Sequence, residues 1–259
     1  MWAAAEGHAA VVRMLMDAGA DRNVTLDSGF QAFHFAVRGG HMETVRAFLA
    51  AGADVNAMME RSARAGRGRA ARGPGTTPLM LAVQNGHYEL AIALVDAGAD
   101  PNDVRTGFTP LHVVAMVRRP DSSDSSEPTA PEGQGSLSSL DFVREIVKRG
   151  AKVNFRLPEG TPKQPATWSS VGSEGATPFL FAADRGDLPL MRLLLELGAD
   201  PLLPNFNGTT PLLAAAGVGT NEPQEEAGEE SEAVEAVKML IELGADLNTV
   251  DNNGDTAMH

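Results

Sequence analysis

The stretch Thr177-Pro178-Phe179-Leu180-Phe181-Ala182-Ala183-Asp184-Arg185-Gly186-Asp187, continuing through Leu188 to Gly198-Ala199-Asp200, decides how this chain folds. Thr followed by Pro starts a helix. The threonine hydroxyl suits the N-cap, and proline at the first helical position gives up an N–H that would have no helical partner there. Four short apolar positions, Phe179 to Ala182, follow before Gly186 ends the helix, because glycine accepts the left-handed conformation of a helix C-terminus. Asp187 is placed to cap a second helix carrying Met191, Leu193, Leu194 and Leu195, which stops at Gly198. Two short helices cannot bury one shared apolar face alone, so the unit needs neighbours of its own kind.

Those neighbours are present on both sides. Gly-Ala-Asp closes at Asp21, Asp54, Asp100, Asp200 and Asp246, with Gly150-Ala151-Lys152 as a variant, at intervals of 33, 46, 52, 48 and 46 residues. Companion strings are Thr77-Pro78-Leu79-Met80, Thr109-Pro110-Leu111-His112, Thr177-Pro178-Phe179-Leu180, Thr210-Pro211-Leu212-Leu213 and Thr256-Ala257-Met258-His259, with Gln31-Ala32-Phe33-His34 as a degenerate copy. The base unit is therefore 33 residues, and the longer intervals carry insertions.

This pattern resembles the ankyrin repeat, whose 33-residue unit carries TPLHxA, then GH, then GAD. The resemblance spans nearly the whole chain with both strings in register, and Gly208 to His259 is also similar to long ankyrin arrays of bacterial proteins. It implies an all-α fold: an ankyrin-repeat solenoid of stacked helix-turn-helix units with β-turn or hairpin fingers, here with four long loop insertions. One array is expected over residues 1–259, with repeats at 1–24 (partial), 25–56, 57–102, 103–154, 155–202, 203–248 and 249–259 (partial). Neither end reads as a polar capping repeat, so the array is expected to be a piece of a longer one.

Composition agrees and removes several chemistries. Hydrophobic residues make up 43% of the chain but aromatic ones only 5%, with 39 alanines, which favours closely packed short helices over sheets. The absence of Cys excludes thiol catalysis, disulfides and Cys-based zinc sites. A formal charge of -13 disfavours nucleic acid as a partner. No apolar run approaches the roughly 18 residues of a membrane helix. The opening MWAAAEGHAA lacks the basic leader of a signal peptide, and the compartment stays open.

The insertions fall at two kinds of place. Residues 57–75 and 155–175 lengthen fingers, whereas 118–139 and 218–232 separate a first helix from its second, and all four read as flexible loops. Their net charges are +4, 0, -2 and -6, so the finger edge is neutral to basic and the other edge acidic. Solubilising loops explain this, and a polarised surface that orients a charged partner is the alternative. The five arginines of 57–75 lack the interleaved aromatics of an RNA-contacting arm.

Candidate chemistry reduces to binding. His8, His41 and His87 follow the inter-helix glycine, while His34, His112 and His259 end the TPLH string, each a repeat away from the next and too far to share a metal. Arg185-Gly186-Asp187 spells a cell-adhesion tripeptide, yet it occupies the ordinary inter-helix turn. No nucleophile, base and orienting group fall together, so no enzymatic activity, cofactor, metal or small-molecule substrate is expected. The resemblance implies a concave face of fingers and first helices that binds other proteins. Its variable positions include Phe30, Arg38, Thr76, Gln84, Asn85, Phe108, Met116, Asp184 and Arg185. Phe30 and Phe108 are the expected anchors, unless each packs against its neighbouring finger. The function expected is a protein–protein interaction scaffold; the alternative is a regulatory or targeting module for a catalytic domain outside this chain.

Overall fold

Threonine caps set where the helices begin. In the computed structural model, which describes residues 1–59, 75–119, 130–131, 133–162, 171–219 and 230–258, the hydroxyls of Thr77, Thr177 and Thr210 accept the N–H groups of Met80, Leu180 and Leu213 at 3.3, 3.1 and 3.2 Å. Each cap is followed by proline at the start of its helix. Without threonine, Gln31 shares a reciprocal capping box with His34. The GAD aspartates have an equally local role. Asp21, Asp54, Asp100, Asp200 and Asp246 each accept the N–H two residues on, at 2.8 to 2.9 Å, and so close the turn leaving the second helix.

The helices group into two compact units, Met1–Pro110 with Glu132–Arg149 and Leu111–Pro131 with Gly150–His259. The first unit holds α1 (Trp2–Ala5), α2 (Ala9–Asp17), α3 (Ala32–Arg38), α4 (Met42–Ala50), α5 (Pro78–Gln84), α6 (Tyr88–Asp96) and α8 (Ser139–Lys148). Its first helices α1, α3 and α5 pack in a row, with α2 against α4 and α6 against α8. Phe33, Val37, Val45, Phe48, Leu90, Leu94, Phe142 and Ile146 form its core. Tyr88 stacks on Phe142 with ring centres 5.0 Å apart.

The second unit holds α7 (Pro110–Arg118, bar its first residue), α9 (Pro178–Asp184), α10 (Leu188–Glu196), α11 (Pro211–Ala215) and α12 (Glu230–Glu242). Here α9 lies between α10 and α11, and α12 covers α11 and α10. Phe179 and Phe181 are fully buried, as is Phe142 in the first unit, so the few aromatic residues of this chain include several of its largest core side chains. The two helices of the expected repeat 103–154, α7 and α8, fall in different units. The fold is all-α and of ankyrin type, as the repeat strings imply.

The insertions are more structured at their ends than loop composition suggests. Residues 60–74, 120–129, 163–170 and 220–229, which carry the five arginines of 57–75 and most of the acidic residues of 218–232, lie outside the described residues. Of the finger 57–75, Met59 and Thr76 form an isolated antiparallel bridge, and among the described residues there is no longer strand. Leu157 is fully buried and its backbone pairs with Ala176 and Gly175, so the base of 155–175 is a closed turn and not a flexible loop. The stretch 218–232 already contains the first turn of α12.

Candidate partner-binding surface

Histidines tie successive repeats together by their ring nitrogens. His41 Nε2 bonds the Ala5 carbonyl at 2.8 Å, and His87 Nε2 bonds the Arg38 carbonyl at 2.9 Å. Since a carbonyl only accepts, each Nε2 carries the proton. The ring of His87 sits so close over Gly40 (φ 70°) that a Cβ there would lie 2.7 Å from it, which is why glycine stands before His41, under the histidine of the next repeat. At the other position, His34 and His112 donate to the Ala57 and Ala176 carbonyls, both at 3.2 Å. Burial pushes His34 down and His112 to about 3, so both are neutral, consistent with the structural role read from their spacing. Among the described residues no group of three His, Asp or Glu is placed to hold a metal ion.

The end of the insertion 118–139 departs from a flexible loop for a related reason. No histidine follows α7 to cover Gly86. Gly133 takes that place, so close that a Cβ on it would lie 1.7 Å from the Gly86 carbonyl oxygen. Gln134 N–H then donates to His87 Nδ1 at 3.0 Å, and Ser136 donates both N–H and hydroxyl to Glu89 Oε1 at 2.8 and 2.9 Å. The Ser136 bonds hold the Glu89 carboxyl below its ordinary range. Residues 133–138 are thus a strap across the start of α6, and Ser138 goes on to cap α8 through the Asp141 N–H.

In the second unit the histidine position after Gly186 belongs to Asp187. Its side chain is fully buried, caps α10 by accepting Leu190 N–H at 3.2 Å, and pairs with Arg118 at 2.7 Å. Arg185 donates to the Arg119 carbonyl at 2.6 Å, and Arg119 in turn pairs with Glu232. The adhesion tripeptide is therefore not displayed: Arg185 and Asp187 both point into these bonds, and Arg185 is 2% exposed. Beside them Leu188, Pro189, Arg192, Ser231, Glu232 and Glu235 line a groove of about 480 Å³, in which Arg192 pairs with Glu235 at 3.6 Å.

The candidate binding residues sort into accessible and buried ones. Arg38 and Gln84 are exposed at the last positions of the adjacent helices α3 and α5, while Phe30, Thr76 and Asn85 are half-buried in the same unit. Asp184, at the end of α9, is half-buried. Phe108 and Met116 are buried, at 6% and 8% exposure, and Arg185 is committed as described. These three face neighbouring chain and offer no side chain to a partner. Position in a repeat does not reveal this, because the same register carries an exposed residue at Arg38 and a buried one at Met116. Sequence reasoning also passed over Trp2, Leu26 and Phe35; Trp2 and Leu26 are exposed and Phe35 is half-buried. Aligning Trp2 with Phe35, one 33-residue period apart, was the signal that would have found both.

Family models for ankyrin repeats match residues 1–105, 65–122, 174–206 and 227–259. The chain superposes on the ankyrin repeat domain of human ASB11 with a TM-score of 0.66 at 22% identity, over 99% of this chain and 88% of that one. The ankyrin repeat domain of Bcl-3, described as a unique member of the IkappaB protein family, gives 0.63 at 21% identity, over 99% and 90%. In sequence, the human 2-5A-dependent ribonuclease is 35% identical over 81 residues, which is 31% of this chain and 9% of that protein. No helix among the described residues is long and apolar enough to cross a membrane. With helix pairs, histidine ties and repeat strings all in the same register, this chain belongs to the ankyrin-repeat family.

Proposed function

We propose that this chain is a non-enzymatic scaffold that binds other proteins through the face made by its finger turns and first helices. The observation that carries the reading is the matching placement of Arg38 and Gln84. They are exposed side chains at equivalent ends of adjacent helices, on a backbone already fixed by hydrogen bonds between repeats. A surface held this way loses little ordering entropy when it binds, so side chains that vary from repeat to repeat can set partner choice without disturbing the fold. Ankyrin repeats typically act as protein–protein interaction modules.

The test is affinity capture with the wild-type chain, with Arg38→Glu/Gln84→Glu, and with Arg192→Glu in the groove beside α10. The reading requires a partner that is held by the wild type and by Arg192→Glu and lost by the double variant. Retention by the double variant would remove this face as the binding surface.

A second reading draws on the ribonuclease match, which spans only 9% of that protein. A repeat stretch of this kind can be one part of a longer enzyme, and the array would then position or regulate a catalytic domain encoded outside these residues. Sequencing the complete reading frame decides it, since a frame without a catalytic domain ends this alternative.

A further inference from the structure

Two touching rings of the first unit form an apolar surface, with an exposed leucine joined to them through the backbone and a cation three positions along α3. The rings of Phe30 and Phe35 lie 4.9 Å apart, both half-buried, and Leu26, 43% exposed, is tied to them through its N–H to the Phe30 carbonyl at 2.9 Å. Trp2, at the position of Phe35 one repeat earlier and on the helix packed against α3, is 79% exposed. The core does not need these rings, because α3 buries Phe33, Ala36 and Val37 on its other side. Single exposed apolar residues are ordinary, but a contiguous group marks a contact surface.

Arg38 follows Phe35 by three positions on α3 and is exposed. Arg46, Arg105, Arg118, Arg119 and Arg149 are paired with carboxylates, whereas Arg38, like Arg13, Arg22 and Arg156, has no ion pair among the described residues, and of these four it is the one on α3 beside Phe35. Asp27, exposed and next to Leu26 in sequence, carries the opposite charge. We infer, resting on the proposed role as a protein-binding scaffold, that Leu26, Phe30, Phe35 and Arg38 take a peptide segment presenting one aliphatic or aromatic anchor and, two to four residues away, a carboxylate. The anchor seats against Phe30 and Phe35, and the carboxylate accepts from the Arg38 guanidinium, whose fork geometry matches its two oxygens.

The spacing follows from geometry. Positions three apart on a helix have Cβ atoms about 5–6 Å from each other. An extended peptide places same-side residues two positions and roughly 6.6 Å apart, and a helical one places them three or four positions apart.

The experiment is selection of a random peptide display library on the whole 259-residue chain, with affinities of the enriched peptides measured by fluorescence anisotropy. Enriched peptides should share the anchor-and-carboxylate pattern, and Phe35→Ala and Arg38→Glu should each weaken them tenfold or more. Selection repeated on Arg38→Glu should return Lys or Arg in place of the acid, a reversal that damage to the fold cannot produce. Peptides without the acid, affinities indifferent to Arg38→Glu, or no enrichment at all would overturn the inference. So would a dimer in sedimentation that Phe35→Ala dissolves, which would assign the surface to a second copy of the chain. Loss of this inference leaves binding of a folded partner through Arg38 and Gln84 standing, because that is judged by the capture experiment.

Discussion

His87 joins Gln134, 47 residues further along, through an N–H to Nδ1 hydrogen bond of 3.0 Å, while its Nε2 donates to Arg38 in the preceding repeat. One buried ring therefore satisfies groups on two separate segments and covers Gly40. The repeat register explains the bond to Arg38, which matches that of His41 to Ala5 one repeat earlier. The bond to Gln134 exists because an insertion doubled back to fill a place where a histidine is missing.

His87→Ala leaves the Gln134 N–H and the Arg38 carbonyl without this partner and opens space over Gly40. A buried polar group left unmatched costs about 1–3 kcal/mol. We expect the variant to unfold at clearly lower urea concentration, with faster hydrogen exchange at the Gln134 and Ser136 amides. Unchanged exchange at those two amides would show that the strap does not depend on the ring.

Acid should destabilise the second unit through His112. Its folded-state affinity for a proton is lowered, so the unfolded chain protonates first. Stability is then complete above the ordinary histidine value of about 6.5 and falls as pH drops toward the folded value, by up to about 1.4 kcal/mol per pH unit. The window closes near pH 3, where burial has placed His112 itself. His34 adds a loss of the same sign in the first unit. Urea unfolding of wild type and His112→Gln from pH 8 to 4 measures this. The variant should have the shallower decline, and parallel curves would contradict the assignment.

Asp187 both caps α10 and neutralises Arg118. Asp187→Ala removes both and leaves a largely buried guanidinium without this carboxylate, at a cost of about 3–5 kcal/mol. Asp187→Asn keeps an oxygen for the Leu190 N–H and should cost measurably less. Equal losses in chemical denaturation would mean that the charge, and not the cap, is the important contact.

Phe30 and Phe108 are expected to separate. Phe108 is buried, so Phe108→Ala should lower stability by about 3–5 kcal/mol, as large-to-small core changes do. Phe30→Ala, at a half-buried position, should cost far less and act mainly on binding. Thermal unfolding of the two single variants checks it, and a reversed order would move Phe30 into the core.

The fold was legible because its signals are local. Thr177 caps within three residues, Asp100 closes a turn within two, and both repeat in register, so a string comparison finds them. The surface was legible only in part. Register marks Arg38, Gln84, Met116 and Arg185 as equivalent or neighbouring positions, but Met116 and Arg185 are buried, Arg185 against the Arg119 carbonyl 66 residues earlier. Burial by distant segments leaves no mark at the residue itself. The same holds for the strap: Gly133 to Ser136 have loop composition, and only the empty place over Gly86 gives them a partner.

The most direct measurement is the affinity of a captured partner for three purified chains: wild type, Arg38→Glu/Gln84→Glu, and Arg192→Glu. Binding through fingers and first helices predicts at least a tenfold loss in the double variant with unchanged thermal stability, and wild-type affinity in Arg192→Glu. Wild-type affinity in the double variant together with a loss in Arg192→Glu would place the partner on the groove beside α10 and contradict the account.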